Sequence, residues 1–479
     1  MTTFDPFGRQ VFIGGEFVAA TGKGTFEIAN PATLEPVGLV GDCEGVDIAP
    51  AVSRANEAQR GWARLDATTR AGFLHKIADS MEKTDPRPLC ELVTREMGKP
   101  YAEAVGELVQ ATTIYRYYAE LAKEDQGHIA GPTFSESMQF CRYDPYGVSV
   151  HIVPYNFPVI LFSWTAAASL AAGNAVILKP SELTSLCSLK FLEQHFLHLP
   201  PGLVSCVTGG PRVAQALIES DGTHIVAFTG RAATGKAVNE ACAKKMKACL
   251  IECGGNDPMI ISDSAPAEVA AAGSVTSAFH LSGQVCTSSE RFYVVDKVHD
   301  AFVEEFVRHT RRLRIGNGLG KSEIGPLVSE QARDKAIGLV DEAAAAGAKV
   351  ACGGRVPPGL NVGWFYEPTI LTDVTPAMAI MNDELFGPIA PICRVKDFDE
   401  ALELANRSTY GLGACVFTTR LDEAMKAAEQ LEVGMVWVNN PIIDNDALPF
   451  GGRKRSGLGR ELGRHGLDAF RQPKTVIID

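Results

Sequence analysis

VSVHIVPYNFPVILFSWTAAASLAAGNAVILK, residues Val148 to Lys179, is the stretch that decides the fold. From Ile152 to Leu178 it carries no charged side chain, which on length alone would span a bilayer. Pro154, Pro158 and the pair Gly173-Asn174 cut it into an apolar strand, a turn, a helix and a second strand. The small residues Ala166 to Ala172 suit a helix packed tightly on a sheet. The stretch therefore reads as buried core rather than a membrane span.

The same rhythm continues toward the C-terminus. Strands are predicted at Val148 to Val153, Ala175 to Leu178, Val204 to Val207, Ile225 to Phe228, Ala248 to Ile251 and Met259 to Ile261. Short strands alternating with helical segments indicate βαβ units and a parallel sheet, whose ligand crevice lies at the carboxyl ends of the strands. Two of those ends carry polar residues. Lys179-Pro180-Ser181-Glu182 follows one strand, and Thr229-Gly230-Arg231-Ala232-Ala233-Thr234-Gly235 follows another and opens a helix. Glycines there let a backbone approach a phosphate, and a helix N-terminus offers free N–H groups. The spacing is GxxxxG and not the dinucleotide GxGxxG.

Toward the N-terminus, Val11 to Thr25 reads as a short hairpin, with strands at Val11 to Ile13 and Glu16 to Val18. Helices follow at Thr68 to Lys83, where Leu74, Ile77 and Met81 share a face, and over Leu89 to Lys123 with a break near Gly98-Lys99-Pro100. The tyrosines of Tyr115-Arg116-Tyr117-Tyr118 read as core. Between Gln126 and Ser149 the composition shifts, and Gln139 to Asp144 looks like a strand without a helical partner, as an arm leaving its own domain would. The second half adds amphipathic helices near Phe302 to Arg311 and Gln331 to Ala346, strands around Tyr366 to Leu371 and Pro391 to Val395, and a closing strand at Thr475 to Ile478.

The chemistry gathers at three places. Ser282-Gly283-Gln284-Val285-Cys286-Thr287 sets a cysteine on a loop between a helix-like run and an apolar strand, where a thiolate could act as nucleophile. Leu250-Ile251-Glu252-Cys253-Gly254-Gly255 closes an apolar run with a carboxylate. Pro154-Tyr155-Asn156-Phe157-Pro158 fixes an amide between two prolines. A thiol, a carboxylate and an amide donor are what thioester chemistry on a carbonyl requires.

Length and composition bound the partners. A chain of 479 residues implies two or three domains, and a net charge of −12 argues against nucleic acid. The 12 cysteines form no CxxC pair and no zinc spacing. His195 and His198 are three apart but lack a second ligand pair, so no metal is expected. Met1 to Arg9 shows no signal pattern, and a reducing cytoplasm is the expected compartment.

Taken together the chain resembles the NAD(P)-dependent aldehyde dehydrogenase superfamily over nearly its whole length. Seven stretches carry the resemblance in order: Pro154 to Pro158, Lys179 to Glu182, Phe228 to Gly235, Glu252 to Gly255, Gly283 to Thr287, Glu384 to Pro388 and Pro449 to Gly457. The resemblance implies an α/β fold with a Rossmann-type nucleotide-binding domain (1–124 and 148–253), an α/β catalytic domain (254–440) and a small β oligomerisation element (125–147 and 458–479). It further implies a homodimer or homotetramer. Cys286 is similar to the family's nucleophile, Asn156 with the Cys286 N–H to its oxyanion hole, and Glu252 to the base that activates water. Lys179, Ser181 and Glu182 correspond to the adenosine-ribose side, and Thr229, Gly230, Arg231 and Gly235 to the pyrophosphate turn. Glu384 and Phe386 fall at the nicotinamide end, and Pro154 is implied among the cofactor-binding residues. Phe157, Trp164, Thr287 and Phe450 are implied along the aldehyde tunnel, with Asp444 near its mouth.

NAD is expected over NADP because the Glu182 carboxylate can accept from ribose hydroxyls and repels a 2′-phosphate. Arg231, where the family more often has serine, leaves NADP open. Thr165 follows Trp164 where many members carry lysine. Relatives acting on succinate semialdehyde usually have an arginine after the Asn156 motif; Val159 to Thr165 has no basic residue, so an uncharged or cationic aldehyde is expected. The alternatives are a succinate-semialdehyde type, a CoA-acylating or acyl-phosphate type, which typically lacks the glutamate, and a catalytically silent binding or structural relative.

Overall fold

The computed structural model describes residues 7–22, 24–124, 127–131 and 136–479. Expectations that rest on 1–6, and the parts of the arm at 125–126 and 132–135, lie outside the described residues.

Hydrogen bonding places the strand Val148–Ile152 inside an eight-stranded sheet. Five strands run parallel in the spatial order Ala248–Cys253, Ile225–Gly230, Val148–Ile152, Ala175–Lys179 and Val204–Cys206. The chain winds outward from Val148–Ile152 in both directions. The strand order therefore reverses between it and Ile225–Gly230, the crevice where such sheets bind ligands. The hairpin Gln10–Ile13 with Glu16–Ala19 extends one edge, and Gly457–Leu458 pairs antiparallel at the other.

The helix Ile160–Ala172 is buried along nearly its whole length. Alanine and serine on its surface let it lie close to the sheet, and a polar network then supports both ends. At its start, Oε1 of the buried Glu107 accepts from the N–H groups of Val159 (2.7 Å) and Ile160 (3.0 Å), two donors that the helix itself cannot satisfy. At its end, Gly173 donates to Leu170 and Asn174 to Ser169, each at 3.0 Å, the closure that satisfies the last carbonyls. No described helix is long and apolar enough to cross a membrane.

A seven-stranded sheet forms the second layer system, in the order Lys349–Cys352, Thr369–Thr372, Ile389–Val395, Ser289–Val295, Asp257–Ile261, Gly413–Phe417 and Met435–Val438. All its neighbours run parallel except the first pair. The strand Asp257–Ile261, which continues the sequence rhythm of the first sheet, in fact opens this one. The link between the sheets is the short run Gly254–Asn256, immediately beyond Glu252.

The strand expected at Gln139 to Asp144 is Met138–Pro145, and it pairs antiparallel with Arg471–Ile478 and with His128–Ala130. Only the last part of 458–479 belongs to this three-stranded sheet, because Gly457–Leu458 lies in the large sheet and helix Gly463–Ala469 packs on Ile160–Ala172. Ile129, Ile477 and Ile478 stand exposed on it.

Candidate active site

Three backbone segments converge where the sheets meet. The Cys286 loop turns through left-handed geometry at Leu281 (φ +53°), Ser282 (φ +57°) and Gly283 (φ +72°). Any side chain at Gly283 would overlap the carbonyl of Gly387, so the glycine lets the loop carrying the thiol lie directly on the loop carrying Phe386. The Cys286 carbonyl accepts from the N–H of Gly255 (3.1 Å), which ties the thiol to the Glu252 segment. Asn156 is buried and borders the large cavity; its Nδ2 donates to the Gln284 carbonyl (2.9 Å), which leaves one N–H of the amide uncommitted, and its Oδ1 has no partner. Gln284 is held in turn by the N–H of Val328 (3.1 Å) and the carbonyl of Leu281 (3.1 Å).

Cys286 is half-buried and stands between two cavities. The larger, about 370 Å³, lies over the carboxyl ends of the parallel strands, lined by Pro154, Asn156, Thr229, Gly230, Arg231, Glu252, Glu384 and Phe386. The smaller, about 80 Å³, is walled by Phe157, Trp164, Thr287, Phe450 and Asp444. The Trp164 and Phe450 ring centres are 4.8 Å apart. Leu161, Cys286 and Phe450 border both. Of the sequence-identified residues, Lys179, Ser181, Glu182 and Gly235 do not line either cavity. Lys179 Nζ and Glu182 Oε2 are 3.3 Å apart at the end of Ala175–Lys179. Gly235 is buried against Cys253 and Ile251, so it acts by letting helix Ala232–Lys244 approach the sheet.

The electrostatics set two groups apart. Glu252 is 2% exposed, and neither of its oxygens has a hydrogen-bond partner. Burial, followed by the nearby Glu461, pushes its pKa well up. The thiol of Cys286 is likewise raised, first by burial and then by the charge of Asp444. Glu384 is raised to about 7 by burial, against the pull of Lys335 and Arg231. Its loop is pinned by the buried Glu290, which accepts from the N–H groups of Leu385 (2.8 Å) and Phe386 (2.7 Å).

Sequence reasoning did not find Glu461, Glu290, Lys335 or Arg455. Glu461 is buried, its backbone pairs with Phe450, and its carboxyl has no partner; burial raises it to about 8. Lys335 lines the large cavity and donates to the Glu384 carbonyl (2.8 Å), and Arg455 lies over the Tyr410 ring at 5.2 Å. Their only signal was a charge beside a glycine-rich or amphipathic stretch, which solvated faces share. Thr165 bonds to Nδ1 of buried His151 (2.7 Å), whose Nε2 meets Ser149 (2.8 Å). His195 and His198 bond to Ser80 and the Phe73 carbonyl. Among the described residues, the cluster Glu268, Glu305 and His309 has ligand spacing, but the Arg308 guanidinium already contacts all three.

Residues 17–476 match the aldehyde dehydrogenase family. Retinaldehyde dehydrogenase 3 of Rattus norvegicus is 37% identical, over 98% of this chain and 92% of that protein. The mitochondrial succinate-semialdehyde dehydrogenase of Arabidopsis thaliana is 36% identical, over 98% and 89%. Among solved structures, betaine aldehyde dehydrogenase from Staphylococcus aureus in complex with NAD+ superposes with a TM-score of 0.95 at 31% identity, covering 98% of this chain and 95% of that one.

Proposed function

The chain belongs to the aldehyde dehydrogenase family and is an NAD-dependent oxidoreductase acting on aldehydes, and from that premise we propose that Cys286, Glu252 and Asn156 carry the reaction. The observation that supports this most directly is the position of Cys286 between a cofactor-sized cavity and a narrow aromatic one. The large cavity suits the pyrophosphate and nicotinamide part of a dinucleotide: it sits at the strand-order reversal, and it reaches the N-terminus of helix Ala232–Lys244. When bound, NAD supplies the hydride acceptor. Lys179, Ser181 and Glu182 hold the ribose of the adenosine end, Thr229, Gly230 and Arg231 the pyrophosphate, and Pro154, Glu384 and Phe386 the nicotinamide end. Arg231 shares its cavity with Tyr155 and Glu384 and acts electrostatically on both, whereas neither Lys179 nor Glu182 lines that cavity. That placement favours NAD over NADP.

The thiolate of Cys286 adds to the aldehyde carbon, and the free N–H of Asn156 with the Cys286 N–H stabilises the oxyanion, a donor of this kind being worth roughly 3–4 kcal/mol. Loss of hydride leaves the acyl group on sulfur as a thioester. Glu252, made more basic by its surroundings, takes a proton from water, whose oxygen attacks the acyl carbon and releases the acid and the thiol. The Glu252 base argues for water over CoA or phosphate as acceptor. Phe157, Trp164, Thr287 and Phe450 wall the aldehyde tunnel. It offers no lysine or arginine to a distal carboxylate, which favours an uncharged or cationic aldehyde over a semialdehyde.

The division that accompanies this reading is a nucleotide-binding part (1–124 and 148–253), a catalytic part (254–440), and an arm that pairs Met138–Pro145 with Arg471–Ile478. Its exposed edge and isoleucines suit assembly into a homodimer or homotetramer, and the cytoplasm is the proposed compartment. The test is NADH formation from betaine aldehyde, benzaldehyde, a short aliphatic aldehyde and succinate semialdehyde, with and without CoA. Cys286→Ala is expected to abolish turnover and retain NAD binding. NADH formed only with CoA, or the highest kcat/KM with succinate semialdehyde, would refute the corresponding part.

A further inference from the structure

The small cavity contains a charge that the reaction itself does not use. Asp444 stands on the loop before Phe450 and lines the same 80 Å³ space as Cys286. It is exposed to solvent. Among the described residues no donor or cation offsets its charge; its surroundings supply only desolvation and a second carboxylate, Asp446. The one basic ring in the lining, His280, already has a carboxylate beside it, Glu103 at 3.2 Å. Three aromatic side chains, Phe157, Trp164 and Phe450, line the same space among aliphatic residues, with Gln110 and Thr287 as its uncharged polar groups.

We propose, resting on the functional reading above, that Asp444 couples recognition of a positively charged aldehyde to activation of the Cys286 thiol. A quaternary ammonium or protonated amine on the aldehyde's far end fits an aromatic wall with one unanswered carboxylate. Of the charges acting against the thiolate, Asp444 is the largest, after burial itself. A cation seated beside Asp444 cancels that charge and makes proton loss from sulfur easier as the carbonyl arrives. The same residue thus attracts its substrate and keeps the thiol protonated until that substrate is present. An uncharged aldehyde of the same shape enters the tunnel but does not relieve the opposition.

The coupling depends on pH. Desolvation and Asp446 hold Asp444 at about 7, so it is neutral below that value and its preference for a cation fades as pH falls through it. The groups facing it are Asp446 from its own loop, Cys286, and His280 with Glu103 across the cavity; Tyr117 comes near through Asp446.

Betaine aldehyde and its neutral isostere 3,3-dimethylbutanal separate charge from shape. The wild-type holoenzyme is expected to favour betaine aldehyde in kcat/KM by about tenfold or more above pH ~7, and by less below it. Asp444→Asn is expected to reduce that ratio about tenfold, with the neutral isostere gaining, whereas Asp444→Glu keeps the preference. In the free enzyme, iodoacetamide labelling of the Cys286 peptide, followed by mass spectrometry against pH, is expected to shift to lower pH in Asp444→Asn. An unchanged ratio, or coincident labelling profiles, would overturn the proposal. No NADH from either aldehyde would overturn the functional reading instead, and the labelling profiles would still decide whether Asp444 acts on the thiol.

Discussion

Glu107 and Glu252 are both buried carboxylates within reach of the Asn156 segment, and they are treated in opposite ways. Glu107 has a partner for each oxygen: two helix N–H groups on one side, and the ammonium of Lys99 at 2.7 Å on the other. Lys99 is itself fully buried and lies 4.3 Å from the centre of the Phe157 ring, so the pair also steadies a wall of the tunnel. Glu252 has no ion-pair partner and neither oxygen makes a full hydrogen bond; burial and Glu461 outweigh the weaker pull of Arg460 and the Gly452 N–H, and a side chain on Gly451 would overlap it. A satisfied buried charge fixes a framework. An unsatisfied one stores basicity, and a chain retains such a group where a proton has to move.

Replacing each glutamate's surroundings should expose that contrast, and the largest effect is expected at Glu252. Glu252→Gln should lower steady-state turnover by about 10²–10⁴-fold. A first-turnover burst of NADH should survive, measurable by stopped flow, because only thioester hydrolysis is lost. Its thermal midpoint should change little, since the buried carboxylate has no ion-pair partner to lose. Lys99→Met should do the reverse, costing about 3–5 kcal/mol of stability in urea unfolding, because it leaves the buried Glu107 charge without its counter-ion. Adding Glu107→Gln should recover part of that loss; no recovery would mean the cost was one of packing. The smallest effect is expected at Glu461. Glu461→Gln removes a negative charge that disfavours ionised Glu252, so Glu252 should ionise at lower pH. The acid limb of the kcat profile should then move to lower pH, a shift that a merely structural role would not produce.

The elements were legible wherever periodicity and local turn chemistry decided them. The uncharged helix between Pro158 and Gly173 and the strands beside it followed from the sequence, because burial on both faces leaves a continuous apolar run. The break at Gly98-Lys99-Pro100 separates Arg87–Met97 from Tyr101–Glu124. The thiol, carboxylate and amide stood out by their flanking glycines and prolines. Not legible was anything created by long-range approach. Glu461 meets the site because Phe450 and Glu461 bridge across a glycine-rich loop, and nothing local marks it. Glu290 reads as one more polar residue before a strand, although it pins the loop of Phe386 nearly a hundred positions away. The C-terminal arm was expected to be longer than Arg471–Ile478 because only three-dimensional packing assigns Gly463–Ala469 to the helix Ile160–Ala172.

The two cavities that meet at Cys286 also bear on traffic. On the proposed reading the nucleotide and the aldehyde approach the sulfur from separate chambers, and neither then has to pass the other to arrive or to leave. The carboxylic acid can depart down the aromatic channel while the nucleotide stays seated, and a nucleotide can be exchanged while an acyl group waits on the sulfur. Hydride transfer still requires both chambers to be filled at once, so the two routes are separate for arrival and departure and meet only at the sulfur.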